Sequence, residues 1–491
     1  MKMNKLNILF AMVLVSLFGC DDFLDKAPED TLSPAVYYNN INELKTGLAG
    51  CYKVLQDIYT HDGGMYEYIE MVSDDGKDRQ MTDPYHIFKK TNSHSASAIW
   101  TDNYLMIYRV NTLLGVLSTF EPATDAETKE VNAMMGECYF LRGLAYMNLV
   151  RTYGDVPKVT EKFGSPSEAF GIGRSSVSEI YNDVIIPDFQ NAVSMCYVKG
   201  ASQLNGEEAR ANKGSALMGL AKAQMEMQDF GSAETTLKRL IIDKESGEYG
   251  LMPNLTDVFD DANKFNKESI FEVNFNVAAG QPSFYFRNMS NDISFIVGTT
   301  YTNIFMVSHD LLQEFTEYGE EDRLFHSVDS GYVEGATPEF QAFPKKMAPS
   351  RAERAAIKDV GSDYNFIVYR YADALLMYAE CLMNNGKTGD AITYINMVRE
   401  RSNMEPLADD FNLDIYWVLH ERRMELAFEC HRFWDIKRTG KAIEIISEAL
   451  MTVTGEDYGV QDKPIEEYQL LFPIPTGEIE KDQTLPQNPG Y

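Results

Sequence analysis

Basic residues are in short supply. Lys and Arg together number 44 against 74 Asp and Glu in 491 residues, a formal net charge of −30. A uniformly acidic surface repels phosphate, which argues against nucleic-acid binding, and a polyanionic ligand would need a local basic patch. There are six cysteines but no Cys-x-x-Cys, so neither a zinc site nor a redox pair is indicated. His-Glu-x-x-His, Walker, Gly-x-Ser-x-Gly and dinucleotide motifs are also missing. Gly171-Ile172-Gly173-Arg174 carries two glycines but follows no strand and lacks the rest of such a pattern. The expectation is therefore no catalytic residue, no metal, no cofactor and no enzyme activity. Beyond the N-terminus no run is long and apolar enough to span a membrane. What remains is 44% hydrophobic, 24% charged and 12% aromatic, a globular composition that excludes disorder, collagen and a charge-rich coiled coil.

The first informative segment is the N-terminus. Lys2 and Lys5 precede an almost wholly apolar run from Leu6 to Phe18, which reads as a secretory signal. The run is shorter than the ~20 residues of a membrane span. It ends in Gly19-Cys20, which resembles the bacterial lipobox, a small residue before a cysteine that becomes lipidated. Residues 1–19 are expected to be a signal peptide, and the lipid on Cys20 the only membrane anchor. Two or more acyl chains hold a protein stably where one does not. Asp21-Asp22 resembles a surface-export signal of Bacteroidetes-like lipoproteins, or forms a solvated acidic tether. With Cys20 lipidated, five cysteines remain and cannot all pair internally. Cys51, Cys138, Cys381 and Cys430 lie among apolar residues in helical patterns and read as small buried hydrophobes.

Most periodic segments are helical. Asn42 to Tyr59 places Leu44, Leu48, Cys51, Leu55 and Ile58 on one face; Trp100 to Leu117 does so with Tyr104, Ile107, Tyr108 and Leu114. Glu137 to Tyr153 follows the same style and stops at Gly154-Asp155-Val156-Pro157. Two helical pairs follow, Gly214 to Ile242 turning at Asp229-Phe230-Gly231, and Ala372 to Arg401 turning at Gly386 to Asp390. Ala221 and Ala233 in the first match Ala379 and Ala391 in the second, and small residues there let antiparallel helices approach. The pairs resemble tetratricopeptide repeats but are not in tandem, so plain helical hairpins remain open. Between them, residues 245–362 are loop-rich, with strand character at Phe271 to Phe275. Thr60 to Ile99 is a second irregular stretch, and loops of this length in compact proteins are commonly functional.

The densest charged motif is Glu421-Arg-Arg-Met-Glu-Leu-Ala-Phe-Glu-Cys-His-Arg-Phe-Trp-Asp435. Glu421, Glu425 and Glu429 stand at i, i+4 and i+8 of a helix, and with Arg422 and Arg432 beside them they read as a structural salt-bridge network rather than a glycosidase pair. His431 has no second metal ligand nearby and reads as a packed residue.

The segment Glu421 to Gly440 closely resembles a signature of the SusD/RagB family of Bacteroidetes outer-membrane lipoproteins. So do Tyr369 to Glu380, Leu141 to Pro157, Glu268 to Glu272, Phe472 to Pro475 and Gln487 to Tyr491. The likeness runs in order over residues 20–491. It implies one mostly α-helical fold: tetratricopeptide-like helical pairs as scaffold, and an irregular loop-rich part with a few short strands. Within it, residues 20–244 and 363–491 would be the helical parts and 245–362 an insertion. The resemblance further implies a binding protein at the cell surface that captures oligosaccharides, or peptides in the RagB branch. Its implied partner is a TonB-dependent transporter of the SusC type.

Ligand contacts are expected from the loops. A sugar ring presents C–H faces that suit an aromatic plane and a rim of hydroxyls that suits polar groups, and tyrosine supplies both a flat body and a polar tip. The candidates are Tyr66, Tyr68, Tyr85, Phe284, Tyr285 and Tyr301, with Asp74, Asp75 and Arg79 as hydroxyl partners. Trp100, Trp417 and Trp434 are expected to pack in the core.

Overall fold

The computed structural model describes residues 38–60, 64–78, 81–284, 305–329, 342–347, 360–452 and 461–491. The N-terminal body is mostly helical: α1 Ile41–Thr60, α2 Met65–Met71, then strand β1 Gly76–Asp78, α3 Ser97–Leu117, α4 Asp125–Tyr153, α5 Ile186–Met195, α6 Lys213–Glu226 and α7 Phe230–Ile241. Their boundaries follow local chemistry. The Thr124 hydroxyl accepts the Glu127 N–H at the start of α4, and Gly154, at φ +76°, ends it. The side chain of Asn212 caps α6 and that of Asp229 caps α7, which is why the chain reverses where the Asp-Phe-Gly turn predicts. Phe189 on α5 seats between Gly143 of α4 and Gly219 of α6; a methyl group at Gly219 would come within 2.5 Å of its ring.

The chain continues through β2 Ser269–Val273, β3 Phe305–Val307, α8 His309–Glu317, α9 Glu321–Ser327, β4 Val328–Asp329, β5 Phe343–Pro344 and β6 Phe366–Arg370. The second helical part holds α10 Tyr371–Asn384, α11 Thr388–Arg401, α12 Ile415–Leu426, α13 Arg432–Arg438 and α14 Ala442–Met451. The described strands form antiparallel pairs: β1 with β3, β2 with β6, and β4 with β5. Helix α7 packs on α10, so the helical pairs before and after the loop-rich stretch are in direct contact. One apolar core runs from Leu44 to Leu485. Cys51, Cys138, Cys196, Cys381 and Cys430 are unpaired and buried, as packing residues should be; Cys20 lies outside the described residues. Trp100 and Trp434 are buried, and Trp417 packs half-buried against Phe411 and His420.

The carboxylate stripe differs from a single helix. Glu421 and Glu425 lie on α12, but the helix ends at Leu426, and Phe428 and Cys430 adopt left-handed conformations at φ 65° and 60°. Glu429 therefore sits in the reversal into α13, yet joins the same fully buried network. Arg370 donates to Glu429 at 2.6 Å, Glu425 at 2.6 Å and Glu268 at 2.9 Å. Arg323 donates to Glu421 at 2.5 Å, Glu425 at 3.1 Å and Glu320 at 3.1 Å. Lys346, Arg399 and Arg401 complete it. Burial alone would raise the Glu425 carboxyl, but Arg401, Arg370 and Arg323 outweigh it and hold the group below the usual carboxylate range.

Candidate functional site

Among the described residues, Tyr66, Tyr68 and Tyr85, expected to contribute to a platform, are packed into the body of the protein. Tyr66 is 5% exposed, with its ring edge-on to Phe366. Tyr85 is 9% exposed; its ring packs on Tyr68 at 4.5 Å and on Phe472 at 5.4 Å, and its hydroxyl accepts the Ala96 N–H. Tyr68 is half-buried in the same cluster. Tyr68 and Tyr85 pack against Phe472 of the C-terminal tail, and Tyr66 against Phe366 of β6. Asp74 and Asp75, expected as hydroxyl partners, are instead engaged by arginine. Arg432 grips Asp74 with two hydrogen bonds of 2.8 Å, and Arg423 donates to Asp75 at 2.7 Å; Asp74, Asp75 and Arg423 are buried and Arg432 partly so. Burial opposes ionisation of Asp74, but Arg423 and Arg432 prevail and hold its carboxyl well below the usual range. These aspartates anchor the loop before β1 to α12 and α13. Phe284 is half-buried, close to Gly361. Arg79, Tyr285 and Tyr301 lie outside the described residues.

The open aromatic surface lies elsewhere, in a groove of about 770 Å³ between α3, the segment that follows α4, and the C-terminal tail. It is built from the chain up. Helix α3 places Trp100, Tyr104, Ile107 and Tyr108 at i, i+4, i+7 and i+8; Trp100 and Ile107 are buried, whereas Tyr108 is 53% exposed. After α4 the backbone is clamped. Tyr104 donates to the Pro157 carbonyl at 2.9 Å, Tyr146 to Val159 at 2.9 Å, and Arg142 to Thr160 at 2.8 Å. Val156 and Ser175 then exchange both backbone hydrogen bonds, so the stretch between them leaves and returns at one point, as an Ω-loop does.

That loop displays Phe163, Phe170 and Ile172 toward the groove. Phe170 is 51% and Ile172 38% exposed. Gly171 and Gly173, at φ +77° and +72°, take conformations a side chain would resist, and the Gly171 N–H is held by Asp482 at 2.7 Å. The opposite wall is the turn of helix at Thr476–Lys481, with Asp482 and Leu485. Arg174 ties loop to tail through the Asp155 and Pro486 carbonyls and the Asn488 side chain. Rings held outward on a pinned loop expose apolar area to water, which marks an interaction surface. With Thr101, Glu161, Lys162, Glu478, Lys481 and Asp482 around them, the groove offers flat apolar faces and a polar rim.

Sequence reasoning missed this surface. Tyr108 reads as one more member of an apolar helical face, and Gly-Ile-Gly as a failed phosphate loop. The available signal was apolar residues set between glycines, where neither helix nor strand could bury them. Among the described residues, no group of three or more His, Cys, Asp or Glu could hold a metal ion, and no helix is long and apolar enough to cross a membrane.

A helical scaffold bearing a loop-built, open groove is the architecture of a ligand-binding protein. Comparison with known proteins gives the family. A model described as "SusD family" matches residues 258–491, and one described as "Starch-binding associating with outer membrane" matches residues 22–222. A SusD-like protein of Formosa agariphila is 26% identical over 99% of both chains. One of Bacteroides ovatus is 22% identical over 88% of this chain and 82% of that one. Among solved structures, a laminarin-binding SusD-like protein is 24% identical, covering 92% of this chain and all of that one, with a TM-score of 0.74. Surface glycan-binding protein A of Bacteroides thetaiotaomicron, in complex with laminarihexaose, is 19% identical over 91% of this chain and 99% of that one, with a TM-score of 0.72. The chain belongs to the SusD family and has its mostly α-helical fold.

Proposed function

We propose that this protein captures oligosaccharides at the cell surface and passes them to a TonB-dependent transporter of the SusC type, anchored in the outer membrane by lipid on Cys20. The observation that carries the reading is the pair of half-exposed rings, Tyr108 and Phe170, on facing elements of the same groove. An aromatic face buries the C–H side of a sugar while hydroxyls reach the polar rim. Relatives whose names record laminarin and laminarihexaose binding support a glycan as the ligand class. Capture without chemical turnover is supported by the stripe of Glu421, Glu425 and Glu429, whose carboxylates are engaged by arginine and lysine.

The test is binding of the purified protein to immobilised polysaccharides and to peptides, followed by calorimetry on whichever binds. Tyr108→Ala with Phe170→Ala should weaken glycan binding by ~10- to 100-fold, because each ring contributes on the order of 1 kcal/mol. Melting should stay unchanged, because exposed substitutions are close to neutral. Undiminished glycan binding in that variant removes the groove from the account, and binding of peptides alone replaces the ligand class.

A further inference from the structure

We infer that the groove selects neutral, hydroxyl-rich glycans and rejects chains bearing uronate or sulfate. This rests on the glycan reading above and concerns the charge of the groove. Its described lining contains no arginine, the side chain whose planar fork reads carboxylate and sulfate with two hydrogen bonds. Arg174 begins where the groove ends, and its guanidinium is turned to the Asp155 and Pro486 carbonyls and to Asn488.

The rim carries Glu161, Glu478 and Asp482 against Lys162 and Lys481. Lys481 is already satisfied by Glu478 at 2.8 Å. Lys162 is outnumbered on the same rim by Glu161 and Asp482. Asp482 stays ionised: the Thr484 side chain, the Gly171 N–H and the Thr484 N–H all donate to it and hold its carboxyl below the usual range. A bound polyanion would thus meet three carboxylates against two lysines and no arginine in the described lining, on a protein of net charge −30. A neutral sugar meets the opposite situation. Its hydroxyls can donate to the carboxylates on the rim in charge-assisted hydrogen bonds, while its ring lies on Tyr108 or Phe170.

Affinity electrophoresis of the purified protein tests this. The gels would contain neutral glucans, mannans and xylans, or polyuronates and sulfated galactans, each run with the parent and with Tyr108→Ala/Phe170→Ala. Retardation by one or more neutral polysaccharides, abolished in the double variant and unchanged between about 0.02 and 0.5 M NaCl, is the expected result. Retardation by an acidic polysaccharide that the double variant abolishes overturns the inference while leaving glycan capture intact. Retardation by nothing, or retardation by neutral chains that is indifferent to the double variant, overturns the groove as a glycan site and this inference with it.

Discussion

Replacing Glu425 by Ala removes the carboxylate at the centre of the buried network. Glu425 accepts from Arg370 at 2.6 Å and Arg323 at 3.1 Å and also from Arg401, and all four side chains are buried. Arg370 keeps Glu268 and Glu429, and Arg323 keeps Glu320 and Glu421, so neither is stripped of partners. The variant is nevertheless left with one uncompensated positive charge in a buried site, which costs about 3–5 kcal/mol. Unfolding entropy near the midpoint is ~2.1 cal/mol/K per residue, roughly 1 kcal/mol/K for ~470 residues, so the melting temperature should fall by ~3–5 °C. Differential scanning calorimetry at pH 7 measures this. Glycan binding at 25 °C should be unaffected, because the network lies apart from the groove. A melting temperature within about 1 °C of the parent's refutes the reasoning, since no buried charge could then have been left uncompensated. Lost binding with normal melting would relocate the site.

Three further outcomes follow from other parts of the molecule. Burial, and then the nearby Asp75, push Glu70 from 4.5 up to about 8, so its contribution to stability is complete below about pH 4.5 and lost as pH rises through 8. The urea midpoint of Glu70→Gln, measured from pH 5 to 8, should therefore gain on the parent as pH rises, and a constant difference would refute the shift. Asn488 donates to the Tyr153 carbonyl at 2.8 Å and the Phe472 carbonyl at 2.7 Å. Asn488→Ala should lose ~1–3 kcal/mol in urea unfolding, because it removes two hydrogen bonds to backbone carbonyls in a buried place; no loss would mean that the tail is held by packing alone. Cys20→Ala should abolish incorporation of labelled palmitate and leave the protein out of the outer-membrane fraction, and continued labelling would place the anchor elsewhere.

The scaffold was legible because it obeys periodicity. The apolar spacing in α1 and the Asp-Phe-Gly turn between α6 and α7 are local signals, and the structure follows them within a residue or two. The candidate binding surface obeys no such local rule. Tyr66 and Tyr85 lie in a stretch without helical or strand pattern, yet the tail residue Phe472 packs on Tyr85, and Phe366 on Tyr66. Asp74 and Asp75 look like solvated loop charges until Arg423 and Arg432, some 350 residues later in the chain, come to meet them. Tyr108 has the reverse history: it falls on an apolar helical face but reaches past the buried part of α3 into the groove. Whether an aromatic residue is covered depends on which distant segment lands on it, and neither composition nor spacing encodes that. The break after Leu426 was hidden for a related reason, since the left-handed turns at Phe428 and Cys430 use residues that carry no turn signature.

The most direct test of the account is a crystal structure of this protein soaked with an oligosaccharide it has been shown to bind. Sugar rings stacked on Tyr108 or Phe170, with hydroxyls within hydrogen-bond distance of Glu478 or Asp482, are the predicted result. An oligosaccharide bound on another face, with this groove left to solvent, would contradict it.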